Sequence, residues 1–140
     1  MNNNVIKSPK VGVGVMIIKN GKVLLGRRKG KHGANSYGWI GGHLEFGETF
    51  EQCLIREAQE EADLKIEPKK LKFLCLNNII AYDEHYVDIE FFTEIKNKEP
   101  KVMETNRVEK WGWYDLDKLP SPMLKAVELA IKKYKAKNRK

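Results

Sequence analysis

Strand-like and helix-like stretches alternate along this chain in a pattern that predicts an α/β (α+β) domain: a mixed sheet with helices packed on it. Three observations carry that expectation. Apolar, β-branched runs recur at 11–18, 71–80 and 86–95, with a shorter alternating run at 108–114. One well-delimited helix separates the early strands from the late ones, and a second closes the chain. The 140 residues, 41% of them hydrophobic, suffice to bury one core, and no repeat or composition shift divides them, so one domain over 1–140 is expected.

Met1 to Pro9 is polar and reads as a loose N-terminus. Val11 to Ile18 (VGVGVMII) reads as a buried strand, and Asn20-Gly21 marks a tight turn into Lys22–Arg28 (KVLLGRR), giving a hairpin. Lys29 to Gly38 is glycine-rich and basic and reads as a loop. Thr49 to Ala62 reads as a helix: Thr49 with Gln52 forms a capping box, and Phe50, Cys53, Leu54 and Ala58 make an apolar stripe. Its glutamates lie off that stripe, which predicts one face buried and the other offered to solvent. Two strands follow around the polar turn at Asp83-Glu84, then a charged loop from Asn97 to Asn106. Val108–Tyr114 alternates like a strand, with Trp111 and Trp113 on one side. Pro120 and Pro122 precede a final helix from about Met123 to Tyr134, and 135–140 is a basic tail.

The chemistry concentrates in GHLEFGETFEQCLIREAQEEADL, from Gly42 to Leu64. On a helix, Glu57, Glu60 and Glu61 stand at i, i+3 and i+4 and share a face. Like charges at that spacing cost a few tenths of a kcal/mol per pair, which fold stability does not explain. A hard divalent cation explains it, because Mg²⁺ prefers oxygen ligands and keeps waters and substrate phosphates in its shell. The rest of the chain is basic: Lys and Arg number 26 against 19 Asp and Glu, a formal net charge of +7. Such a surface suits anionic partners. Cys53 and Cys75 form neither a metal spacing nor a disulfide framework, and Cys53 reads as a small core residue. The N-terminus has no apolar signal core, and no apolar run approaches the ~20 residues of a membrane-spanning helix. A soluble cytoplasmic protein is expected.

The segment resembles the Nudix box, G-x5-E-x7-R-E-U-x-E-E-x-G-U, where U is a bulky apolar residue. Gly42, Glu48, Arg56, Glu57, Glu60, Glu61 and Leu64 fall on its fixed positions, while Asp63 stands where the family usually has glycine. Ala58 at an apolar slot and Ile40 before the Gly-Gly pair, where proline is common, are milder departures. KVLLGRRKGKHGANSYGWIGGHLEFGE, the pattern at Asn77, Asn78, His85, Tyr86 and Val87, and EPKVMETNRVEKWGWYDLDKLP extend the likeness over most of the chain. They are similar to the MutT-like nucleotide-pool branch, with the plant type 1 and human type 15 members the most similar.

That resemblance implies a Nudix fold, an α/β/α sandwich with a mixed central sheet and a catalytic loop-helix. It also implies a nucleoside triphosphate diphosphatase that uses Mg²⁺, with Mn²⁺ as a substitute, to give nucleoside monophosphate and pyrophosphate. Glu57, Glu60 and Glu61 would hold metal, with Glu57 and Glu61 the main ligands and Glu60 a ligand or the base. The Gly42 carbonyl can add to the shell, and Gly41-Gly42 lets the backbone approach ligand. Arg56 could pin Glu48 and steady the loop. A further glutamate before the last strand is implied, for which Glu104 is the candidate and Glu109 the second. Arg28 matches a substrate-facing arginine. Relatives carry an aromatic-rich base pocket around Met123-Leu124, where this chain has no aromatic. The implied partner is a nucleotide; the reading allows a homodimer and gives no reason to expect nucleic acid or membrane.

Blander readings stand beside these. The glutamates alone could be a solvated acidic helix, but the whole spaced pattern argues otherwise. Glu104 could be an exposed loop carboxylate, and Arg27 and Arg28 an ordinary strand end. Trp111 and Trp113 suit packing better than base stacking. His32, His43 and His85 lack a triad partner or metal spacing. Gly12 and Gly14 lack the third glycine and helix of a dinucleotide fingerprint. Within the family, Tyr82 gives a weak case for a dinucleoside polyphosphate (Ap4A-type) hydrolase, and no proline favours ADP-ribose cleavage. Outside catalysis, a Nudix-like nucleotide- or RNA-binding module is the alternative.

Overall fold

The computed structural model describes residues 7–29, 34–81 and 83–138. The first six residues of the expected loose N-terminus, four residues of the basic loop including His32, Tyr82, and the last two of the tail lie outside the described residues. Seven strands and two helices follow in the order β1 (Lys10–Lys19), β2 (Lys22–Arg28), β3 (Tyr37–Gly38), β4 (Gly41–His43), α1 (Phe50–Ala62), β5 (Lys72–Ala81), β6 (Glu84–Glu94), β7 (Val108–Asp115) and α2 (Lys125–Lys137). A 3-10 turn at Pro68–Lys70 leads into β5. The strands form one mixed sheet in the order β3-β2-β1-β6-β5, with β4 also on β1 and β7 on β2. This is the expected mixed sheet between two helices.

The β1–β2 hairpin turns on Asn20 and Gly21, which both take positive φ, the requirement of a tight two-residue hairpin turn. Pairing between β1 and β2 covers only Ile18↔Val23 and Lys19↔Lys22, after which the strands part. Into the gap comes β4, antiparallel to β1 with Val13↔Gly42 in register. On its other edge β1 runs parallel to β6 over its whole length. Alternation along β1 assigns its side chains to two cores. Val13, Val15 and Ile17 join Leu54, Ala58 and Ala62 under α1, whereas Met16 and Ile18 join Val127, Ala130 and Ile131 under α2. Leu54 is fully buried, so truncating it to alanine costs about 2–5 kcal/mol.

Two elements were not legible as such: β3 and β4 fall in glycine-containing sequence and are too short to show a period. The final helix starts two residues later than expected, at Lys125, because Met123 still pairs with Tyr37, and it runs to Lys137, three residues into the expected basic tail. Among the described residues no helix is long and apolar enough to cross a membrane.

Candidate functional site

The glutamate helix starts where its capping box dictates. Thr49 Oγ1 accepts from the Gln52 amide at 3.1 Å, and Gln52 Oε1 accepts from the Thr49 amide at 2.9 Å. It ends on Asp63, which takes the left-handed conformation (φ 52°, ψ 40°) that glycine usually supplies. Short polar side chains tolerate this region. Here the Asp63 amide donates to the carbonyls of Ala58 and Gln59, and Gln59 Nε2 donates to Asp63 Oδ1 at 2.6 Å. The departure from the family glycine therefore leaves the helix end intact.

The helix does not offer all its glutamates to solvent. Glu57 and Glu61 are only 6% and 4% exposed, whereas Glu60 lies open. A helical wheel cannot foresee this, because the cover comes from β4. Glu61 Oε2 accepts from the Gly41 amide at 3.3 Å, and a Cβ on Gly42 would collide with the Glu57 carboxylate. Gly42 is thus required by close approach of strand and carboxylate.

Arg56 organises the neighbourhood. Its Nε and Nη2 donate to Glu48 Oε2 and Oε1 at 2.8 and 3.0 Å, a bidentate pair, and Nη2 also reaches the His43 carbonyl at 3.2 Å. Nη1 donates to Glu57 Oε2 at 2.8 Å and more loosely to Glu60 Oε1 at 3.4 Å. The Arg56 guanidinium holds the Glu48 carboxyl down to about 2, helped by the Glu45 backbone. Glu61 moves the other way: burial, then a hydrogen bond to Glu57 and the charge of Glu57, push it up to about 9. Beside it, burial pushes the Cys53 thiol up to about 12, the condition of an inert core cysteine.

Glu57 and Glu61 are therefore side by side, and Glu60 turns toward Arg56. Among the described residues no three His, Cys, Asp or Glu side chains close around a single metal position. The donor set is nonetheless hard oxygen throughout, which suits Mg²⁺. The Glu57–Glu61 pair is two buried carboxylates held together at an energetic cost that a cation would relieve. Glu104 is half-buried and pairs with Arg107 at 3.4 Å, whose charge also acts on Glu61, and Glu109 faces Arg27 at 3.8 Å.

On the far side of β4 lies a cavity of about 200 Å³. Gly41, Gly42 and His43 form part of its wall, together with Arg28, Arg107, Trp39 and Tyr86; Gly12 and Gly14 also line it. Leu124 and Val127 contribute the aliphatic side around α2. Trp39 and Tyr86 give this cavity large aromatic faces. Sequence reasoning missed Trp39 and Arg107, and also Asp88 and Glu90, which line the same cavity and are 7% and 2% exposed. A signal for the last two existed: VDIEFF carries acids at a period of two through an otherwise apolar strand.

Residues 8–136 match the NUDIX domain. The chain belongs to the NUDIX family. It is 31% identical over 110 residues to the oxidized purine nucleoside triphosphate hydrolase of Danio rerio, a match covering 76% of this chain and 66% of that protein. Over 118 residues it is 28% identical to the NAD-capped RNA hydrolase NudC of Chromobacterium violaceum, covering 80% of this chain and 41% of the relative. The chain thus spans two thirds or less of these curated relatives. In structure it resembles a MutT NUDIX hydrolase from Burkholderia pseudomallei, with a TM-score of 0.84, 33% identity, and coverage of 91% of this chain and 98% of that one. The NUDIX loop-helix is the stretch from Gly42 through α1.

Proposed function

We propose that this NUDIX protein is a Mg²⁺-dependent nucleoside triphosphate diphosphatase. It would hydrolyse (d)NTPs, oxidised or otherwise non-standard ones among them, to nucleoside monophosphate and pyrophosphate in the cytoplasm. One observation carries the reading: β4 is a shared wall. Its residues line the cavity on one side and touch Glu57 and Glu61 on the other. A base in the cavity thereby places its polyphosphate over the glutamates.

Arg28 and Arg107 line that cavity and bring two fixed positive charges to an anionic chain. Water attacks phosphorus, the phosphoric anhydride bond breaks, and pyrophosphate leaves with the bridging oxygen. Glu57 and Glu61, with Gly42 and Glu60 in reach, would hold Mg²⁺, which would supply charge to neutralise phosphate oxygens and acidify the attacking water. Glu60 or Glu104 would take the proton from the attacking water. Arg56 fixes Glu57 against the loop through its grip on Glu48 and His43.

The test is release of pyrophosphate from a panel of nucleoside triphosphates with Mg²⁺, including 8-oxo-dGTP, dCTP and dUTP, beside Ap4A. Turnover of triphosphates is expected; turnover of Ap4A alone would show that this reading is wrong. The Ap4A alternative rests on Tyr82, which lies outside the described residues.

A further inference from the structure

Asp88 and Glu90 are the unexplained groups of this molecule. They point to the α2 face of β6, where Ile89 and Phe91 between them serve the opposite core. Both are buried, and the partners seen for them among the described residues are Trp39, Asn77 and each other. Burying two carboxyls side by side without a cation detracts from stability, so the fold alone gives no reason for them.

Their surroundings are built rather than accidental. Trp39 Nε1 donates to Glu90 Oε1 at 2.9 Å, and the absence of a side chain on Gly14 makes room for the Glu90 carboxyl, which a Cβ there would strike. Asn77 Nδ2 donates to Asp88 Oδ2 at 3.3 Å. Glu90 and Asp88 are hydrogen-bonded to each other, and burial raises Glu90 well above an ordinary carboxylate and moves Asp88 upward too. A pair holding one proton leaves Asp88, the more exposed of the two, with acceptor capacity beyond its bonds to Asn77 and Glu90. Both residues line the cavity, whose volume of about 200 Å³ is well below the roughly 300–1,000 Å³ of sites for drug-sized ligands. One ring system suits that space better than a dinucleotide.

We propose that Asp88 selects the base, accepting hydrogen bonds from an amino-bearing edge, and that Glu90, clamped by Trp39, is its positioning residue. This rests on the cavity being the base site of the proposed diphosphatase. A site built to accept from an N–H rejects an analogue that lacks it, because its own buried acceptor is then left unpaired.

The experiment compares matched pairs, dGTP with dITP and dCTP with dUTP, in wild type and Asp88→Asn. The wild type is expected to favour the amino-bearing member of at least one pair by roughly tenfold or more in kcat/KM, chiefly through KM. Asp88→Asn should bring that ratio to within about threefold of unity, and Glu90→Gln should weaken it less. Asp88→Ser serves if the asparagine variant does not fold by circular dichroism. Calorimetric binding of dGMP and dIMP without metal reads the same preference independently of catalysis. No preference in either pair, or an equal loss for both members in Asp88→Asn, overturns the inference. If no triphosphate is cleaved yet dGMP still binds in preference to dIMP and Asp88→Asn abolishes this, the diphosphatase reading falls and the base-selecting role stands.

Discussion

Two groups of carboxylates flank β4, and among the described residues they are held by different partners. Beside α1, Arg56 pairs with both Glu48 and Glu57 and holds the Glu48 carboxyl down to about 2, while burial raises Glu61 in the same group. On β6, among the described residues, Trp39 and Asn77 donate to Glu90 and Asp88, and burial favours their protonated forms. One environment suits a metal with phosphates; the other suits the uncharged edge of a base. The difference teaches that residue type says little until the neutralising partner is known.

The largest effect should come from breaking the first group. Glu61→Gln, with Glu57→Gln beside it, should lower kcat/KM by roughly a thousandfold, about 4 kcal/mol of transition-state stabilisation, while circular dichroism stays native. Unchanged turnover would remove the metal role from α1. Removing Mg²⁺ with a chelator should abolish turnover in the wild type and be reversed by added Mg²⁺ or Mn²⁺.

Next in size is the partner itself. Arg56→Lys keeps the charge but cannot make the two-pronged bond to Glu48 while reaching His43 and Glu57. A loss of about 1–2 kcal/mol in urea unfolding is expected, since bonds to charged groups contribute most. If Arg56→Lys melted like the wild type, Arg56 would not organise the group.

The pH dependence separates Glu48 from Glu90 by sign. Glu48 is depressed to about 2, so the stability it contributes is present above its unfolded value of about 4.5 and is lost as pH falls toward 2. Glu90 is raised, by burial first and then by Asp88 and Cys75, with Trp39 acting the other way. Its contribution is present below about 4.5 and is lost as pH rises through its folded value. Thermal melts should therefore show Glu48→Gln flattening the acid limb and Glu90→Gln flattening the limb above pH 5. Parallel curves for Glu90→Gln and wild type would mean that the β6 pair is not held protonated.

Much of the first group was legible in the sequence, and little of the second. The capping box, the spacing from Gly42 to Glu61 and the hairpin at Asn20-Gly21 are local signals, written where they act. Burial of Glu57 and Glu61 depends on β4, a three-residue strand that arrives from outside the helix and leaves no period. Asp88 and Glu90 were written in the alternation of β6, but acids on an apolar strand suggest an exposed face until α2 and Trp39 are seen to cover them.

The smallest effect should be at Asp63, which joins the α1 group to its helix end. Glycine there would relieve the left-handed backbone of its Cβ, a gain of at most about 1–2 kcal/mol. It would also lose the bond from Gln59 and the contact of Lys101 Nζ with Asp63 Oδ2 at 3.4 Å, and it would enlarge the freedom of the unfolded chain. These oppose each other, so Asp63→Gly should shift stability by less than about 1 kcal/mol in either direction and leave kcat/KM within about twofold. Asp63→Val, with a branched Cβ and no acceptor for Gln59, should be distinctly less stable. If Asp63→Gly changed turnover as strongly as stability, the helix end would be coupled to Glu61 more tightly than the Gly41 and Glu57 contacts imply, and the α1 group could no longer be treated as set by Arg56 and β4 alone.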